Sequence, residues 1–224
     1  MYAENGALRK LTVFETLFYF IISILLNGLA NALTVATNLG SAIWTASAAN
    51  LASYLHSGLG LILFLYGIIV IFVNIVLLRR VDMRRIIGNL IFIMPFSYLV
   101  QQFTKMFVEL GVGRLPFGPR IALDLVGVVL IGVAVSIYQR VRIVLHPNDD
   151  LSYILRFSFF HGNAAIGQYV SYTLPLLVVL FCWLQTKSLV AINIGTAISL
   201  VIQGPITGWS DKHVFTHLKH RPMI

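Results

Sequence analysis

The chain has 224 residues, 58% hydrophobic and only 11% charged, with a formal net charge of +8 and a mean hydropathy of +0.87. A soluble domain carries about 25% charged residues, so this composition excludes a water-soluble globule and describes an integral membrane protein in contact with the lipid bilayer. The positive charge then reads as basic cytoplasmic loops rather than a nucleic-acid surface, and the lone Cys182 excludes an internal disulfide.

Residues 1–10 are a short polar start ending in Arg9-Lys10. Residues 11–36 form the first span, longer than the ~20 residues a crossing needs and too long for a signal-peptide core. Its second half carries Asn27, Gly28, Asn31 and the pair Ala32 and Ala36. The stretch 38–58 follows, free of Asp, Glu, Lys and Arg, yet rich in Ala, Ser, Asn and Gly. Residues 59–78 are a second span, closed by the basic run Arg79-Arg80-Val81-Asp82-Met83-Arg84-Arg85. A third span covers 86–109 and contains Pro95, and the Gly- and Pro-rich segment 111–120 is a loop. Spans four, five and six are expected at 121–138, 163–185 and 189–208, with a mixed, charged segment 139–160 between four and five. The domain reading is 1–110, linker 111–120, 121–209 and a basic tail 210–224.

Charge placement decides whether 38–58 crosses. With six spans and the N-terminus inside, Arg9, Lys10, Arg79, Arg80, Arg84, Arg85, Arg140, Arg142, Arg156, Lys212, Lys219 and Arg221 lie inside, against Lys105, Arg114, Arg120 and Lys187 outside. A seventh crossing at 38–58 would reverse most of that bias, so the segment reads as re-entrant or interfacial, reached from outside. Irregular backbone at membrane depth is tolerated only where protein buries it or water reaches it. An amphipathic helix lying on the surface is the alternative.

The second half repeats the first. Gly28 and Gly132 stand 104 apart, as do Thr45 and Asp149; His56 and His161 stand 105 apart, Pro95 and Pro205 110 apart. Arg79-Arg80 pairs more weakly with Thr186-Lys187. Three spans per half is an odd number, so the halves face opposite ways. The fold expected is an all-α membrane protein of six transmembrane helices, arranged as two inverted three-helix repeats, each with a short re-entrant or interfacial segment. That is the recurring plan of secondary transporters, with a site near the midplane between halves.

The residues Leu39-Gly40-Ser41-Ala42-Ile43-Trp44-Thr45, then Pro147-Asn148-Asp149, Gly195-Thr196 and Gly204-Pro205, carry a likeness across the whole chain. The chain resembles the YczE-like (YczE/YyaS/YitT) family of bacterial multi-pass membrane proteins. That family shows an LG-x-SPWD-like motif after its first span and a GPxxD-like motif in its second half. Here the first motif keeps Leu-Gly and Trp but has Ile43 and Thr45 where the family has Pro and Asp. The resemblance implies a six-span fold in the bacterial plasma membrane and a permease label, without a substrate. The missing first Asp weighs against a mechanism built on paired carboxylates.

Candidate solute-binding residues are Asn31, Asn38, Trp44, Thr45, His56, Asn148, Asp149, His161, Asn163 and Gln203. Trp44 and Thr45 are expected to form a neutral lip facing a polar, acidic lip of Asn148 and Asp149 across the membrane centre. Asp149 fits a cation, polar-solute or proton site and equally a helix N-cap. His56 and His161 titrate near neutrality and also suit interfacial positions. The amides, with Asn27, Asn50 and Gln168, suit a pocket or inter-helix hydrogen bonds. Asp124 follows Arg120 by four residues, and Glu109 follows Lys105 by four, the spacing of helical ion pairs. His213, His217 and His220 share a helix face, as a metal site or a fraying end would. No hydrolase elbow, phosphate loop or zinc motif is present, so the chain reads as a non-enzyme without a cofactor.

Three functions fit: a permease binding a small solute between its halves, a substrate-binding subunit of an energy-coupling vitamin transporter, or a membrane regulatory protein. In the second, Ala32 and Ala36 would dock a membrane coupling subunit, or the partner copy in a homodimer. Both termini are expected in the cytoplasm.

Overall fold

The computed structural model describes residues 1–4, 7–141, 144–161 and 164–220; Asn163, expected at the site, and the basic Arg142 and Arg221 lie outside them. The body is all-α. Helix α1 is Val13–Thr37, α2 Ile43–Tyr54, α3 Leu59–Leu78, α4 Met83–Glu109, α5 Phe117–Val141, α6 Pro147–Ile154, α7 Ala164–Ser171, α8 Thr173–Thr186 and α9 Ile194–His213. Helices α1, α3, α4 and α5, together with the stretch Ile166–Thr186 that runs through α7 and α8, are long and apolar enough to cross a membrane. Helix α9 has 20 residues but is interrupted by Gly, Thr, Gln and Pro205, and is not among those five.

The helices wear their apolar residues outward. On α1, Phe14, Leu17, Phe18, Ile21 and Leu25 are exposed, while Ser23, Asn27, Asn31, Thr34 and Thr37 are buried. Both sets recur at three- and four-residue spacing, so each forms one helix face. On α3, Leu61, Leu65, Ile69, Phe72 and Val76 make a second exposed stripe. Polar faces packed inward and apolar faces outward are the arrangement lipid requires, because lipid offers no hydrogen bonds.

Local chemistry sets the ends. Thr12 and Glu15 form a reciprocal capping box at α1. Asp82 caps α4 by accepting from Arg85 N, and left-handed Asn38, Arg79 and Lys187 terminate α1, α3 and α8. The expected fifth span is broken at Tyr172, between α7 and α8. Pro175 explains the break: it lacks an N–H and its ring crowds the carbonyl four residues back, at Ser171. The loop expected at 111–120 is shorter, because a 3-10 turn at Val112–Arg114 and the first turn of α5 occupy it.

Helix α1 is the hub, packed on α5 and α4, with α9 on the far side of α5. Gly28 permits the α1–α4 approach, since a Cβ there would come within 2.9 Å of Leu99 Cβ; Gly132 does the same for α5–α9, at 2.6 Å from Ile206 Cγ2. The short helices reach across. Helix α2 packs chiefly on α8, and α6 chiefly on α3. Helix α3 is tightly seamed to α4, whereas α8 and α9 share no such seam.

One feature departs from the all-α expectation. Tyr2–Glu4 (β1) and Ala7–Arg9 (β2) form an antiparallel ribbon, and Tyr2 pairs with Leu218 of the C-terminal segment. The polar start and tail are therefore joined. Buried Arg140 holds the join, donating to the carbonyls of Val214, Phe215 and Leu218 at 2.9–3.1 Å.

Candidate functional site

The segment after α1 is largely absorbed by the protein: residues 39–41 and 43–50 are buried, except for the half-buried Ala42, while Asn38, Leu55 and His56 remain exposed. Gly40 sits at φ +148°, with the backbone of Gly195 and Thr196 against its Cα, so links 38–42 and 187–193 cross in contact. Asn38 Oδ1 accepts from Ala191 N at 2.9 Å, and Ser41 N donates to Thr196 Oγ1 at 3.1 Å. Asn50 pairs with both sides of Val190, donating to its O at 2.6 Å and accepting from its N at 2.9 Å. Thr45 Oγ1 donates to Asn31 Oδ1 at 2.6 Å, and Asn31 Nδ2 donates to Asn27. Trp44 is buried edge-on against Tyr66, whose hydroxyl lies 2.8 Å from Ser47 Oγ. The expected polar candidates here are spent on other protein groups.

The segment before and through α6 is different. His146 is buried between Phe92 and Phe96, with ring centroids 5.4 and 4.8 Å away, and its Nδ1 accepts from Asn148 N. Asn89 and Asn74, on the flanking helices α4 and α3, donate to the carbonyls of Leu145 and Pro147. Asp150 pairs with Arg85 at 3.0 Å. Asp149 accepts a short hydrogen bond from the Tyr138 hydroxyl. Burial raises the Asp149 carboxyl to about 6 against the lowering effect of that bond, with the Asp150 charge adding to the rise. Burial lowers His146 to about 3, so its ring is neutral.

Asp149 lies in the wall of a cavity of about 730 Å³ between α5, α6, α7 and α9. The volume is within the range of small-molecule sites, roughly 300–1,000 Å³. Tyr153, Tyr169, Tyr172 and Phe157 give it aromatic surface; Gln139, Gln168 and Gln203 give amides; Asp211 and Arg156 give charge, and His220 an imidazole. Asp211 is tied to Ser136 at 2.6 Å and to His220 at 2.9 Å. The cavity exists where the second half lacks the seam that α3 and α4 make in the first. Gly204 and Gly208 of α9 have open space where a side chain would stand.

Of the expected site residues, the structure brings Asp149 and Gln203 to one cavity. Asn148 is buried beside them. Asn31, Asn38, Trp44 and Thr45 lie in the other network. The two lips do not meet, because α2 and α6 each pack on other helices rather than on one another. His56 and His161 are exposed, both with left-handed backbone. Ala32 and Ala36 are covered by the chain itself, which corrects the expectation of a docking face. Asp124 and Arg120 are also not paired. Arg120 turns back to Gly113 O at 3.0 Å, and Asp124 bonds to Thr37 at 2.7 Å. The tail histidines diverge, to Trp209 O, Ala3 O and Asp211. Tyr138, Tyr172 and Arg156 were missed as site residues because nothing in their local sequence distinguishes them from interfacial aromatics and loop cations.

These features define a polytopic α-helical membrane protein with a sizeable cavity beside Asp149. The chain belongs to the family of unknown function DUF6198, whose model matches residues 14–212. No curated protein and no solved structure matches it.

Proposed function

We propose that the protein is a permease-like protein of the bacterial plasma membrane, which binds a small organic solute bearing a positive or hydrogen-donating group in the cavity beside Asp149. The observation that carries this reading is the cavity itself, with a carboxylate in its wall and aromatic faces around it. An acceptor that anchors one end of a solute, with apolar surface for its body, is the usual composition of such a site.

The reading includes an inverted repeat with both termini cytoplasmic. Four observations support it. Gly28 and Gly132 stand at equivalent helix crossings. His56 and His161, and likewise Arg79 and Lys187, share left-handed backbone at corresponding turns. The short helices exchange partners reciprocally, α2 with α8 and α6 with α3. Arg79, Arg80, Arg84 and Arg85 at the α3–α4 turn and Arg140 in the last turn of α5 fall at helix ends that the positive-inside rule assigns to the cytoplasm. The YczE-like resemblance points to the same class.

Thermal unfolding of the detergent-purified protein, across primary and quaternary ammonium compounds and matched neutral alcohols, tests the reading. Stabilisation by cations is expected, lost in Asp149→Asn and retained in Thr45→Ala. An equal response to the neutral compounds, or an unchanged response in Asp149→Asn, removes it. Uptake of a stabilising compound into liposomes containing this protein alone then separates a permease from a subunit that needs a coupling partner.

A further inference from the structure

Asp124 is fully buried in the N-terminal half of α5 and is not among the residues that line the Asp149 cavity. Its Oδ1 lies 2.7 Å from Thr37 Oγ1, and its Oδ2 has no hydrogen-bond partner. The charged groups of the surrounding elements are Arg120 on its own helix, Arg114 in the 3-10 turn, Lys105 and Glu109 at the end of α4, and Lys187 before the α8–α9 link. Among the described residues none of them forms an ion pair with Asp124. Helix α1 and the first turns of α9 present no acid or base there. An ionised carboxylate in such a place is costly, and the group neutralises instead.

Counting protons at Thr37 gives the same answer independently. Thr37 Oγ1 lies 2.8 Å from Thr34 O and 2.7 Å from Asp124 Oδ1, and accepts from Leu39 N at 3.3 Å. A hydroxyl has one proton and can donate to only one of two acceptors. If Asp124 is ionised, one of the two close oxygen–oxygen contacts has no hydrogen between them. If Asp124 carries a proton on Oδ1, its O–H donates to Thr37, and Thr37 donates to Thr34 O. Both contacts are then hydrogen bonds. A metal cation fits less well, because the Gly195 Cα packs directly against Oδ2, and even a Cβ at that position would overlap it.

We infer that Asp124 is a proton-binding site, occupied in the arrangement seen here and set at the junction of the two irregular links. Thr37 adjoins Asn38, which holds Ala191, and Gly195 N donates to Leu39 O at 2.8 Å. Releasing the proton would place a charge against both links, and so the proton holds this junction closed. The assignment stands whether or not the Asp149 cavity takes a solute.

Infrared spectroscopy of the reconstituted protein tests it, with Asp149→Asn as background to remove that carboxyl's contribution. The expected result at neutral pH is a protonated-carboxyl band of one group's intensity, lost on adding Asp124→Asn. In Thr37→Val the band should persist and move to higher frequency, because the O–H has lost its acceptor; this arm serves if the Asp124 variant fails to fold. An unchanged band in Asp124→Asn overturns the inference, as does an unshifted band in Thr37→Val. A band absent in sodium chloride that emerges in choline chloride also overturns it, and makes the site one for sodium.

Discussion

The segments around α2 and α6 follow corresponding helices, yet one is a plug and the other a wall. In the first, Asn31, Asn38, Ser41, Thr45 and Asn50 all find partners within the protein, and Ala46 and Ala48 are fully buried. In the second, Asp149 keeps one hydrogen bond and faces open space. Polar composition is therefore a poor guide to a binding site on its own. What separates the regions is the supporting seam: α3 closes on α4, while α8 leaves α9 free. The closed side has spent its polar groups within the protein, and the open side, though partly bonded, still presents Asp149 and Gln203 to the cavity.

The largest expected effect breaks the plug. Trp44→Ala removes a buried indole from the α2–α3 contact and should destabilise by about 3–5 kcal/mol, measured by unfolding in detergent. Gln203→Ala, in the open wall, should change stability by less than about 0.5 kcal/mol. The next contrast is between seams. A Cβ at Gly67 would overlap Ile93, whereas one at Gly204 meets nothing. Gly67→Ala should therefore cost about 1–3 kcal/mol, and Gly204→Ala should be neutral or slightly stabilising, since it removes chain freedom within a helix. Equal losses at the two glycines would mean that the second half closes as the first does.

Solvent access sharpens the comparison without relying on stability. Cys182 is buried and is the chain's single cysteine, so Cys182→Ser gives a clean background. Gln203→Cys should react with a membrane-impermeant thiol reagent applied to inside-out vesicles, and Ala48→Cys should remain unlabelled. Labelling of both, or of neither, contradicts an open wall opposite a closed plug.

The spans were legible wherever charge punctuates an apolar run. The expected second span coincides with α3, because charge-free sequence leads into it and Arg79-Arg80 ends it. The short helices were legible as separate segments between the apolar runs, because their composition is smaller and more polar than that of the long helices. Asp124 was misread for a physical reason: its spacing to Arg120 fits a helical pair, but α5 begins at Phe117, and Arg120 in its first turn reaches back to Gly113. The cavity was not legible, because it is a gap between helices distant in sequence, produced by how α8 and α9 pack rather than by any motif. Tyr138 belongs to the same class of omission, since only the fold brings its hydroxyl to Asp149.

The smallest expected effect concerns the open wall alone. A cation bound at Asp149 competes with a proton there, so its affinity should be steady at neutral pH and weaken as pH falls through about 6, by about tenfold per unit well below that point. Tyr138 donates its hydrogen bond to the carboxylate and so favours the ionised form. Removing the donor in Tyr138→Phe should move the midpoint upward, and binding should begin to fail at a higher pH while remaining near wild type in alkaline solution. Calorimetric titration of a stabilising ammonium compound over a pH series checks both. A midpoint that does not move, or moves down, would show that the hydroxyl does not hold the charge on Asp149, and the wall would then owe its acceptor to another group.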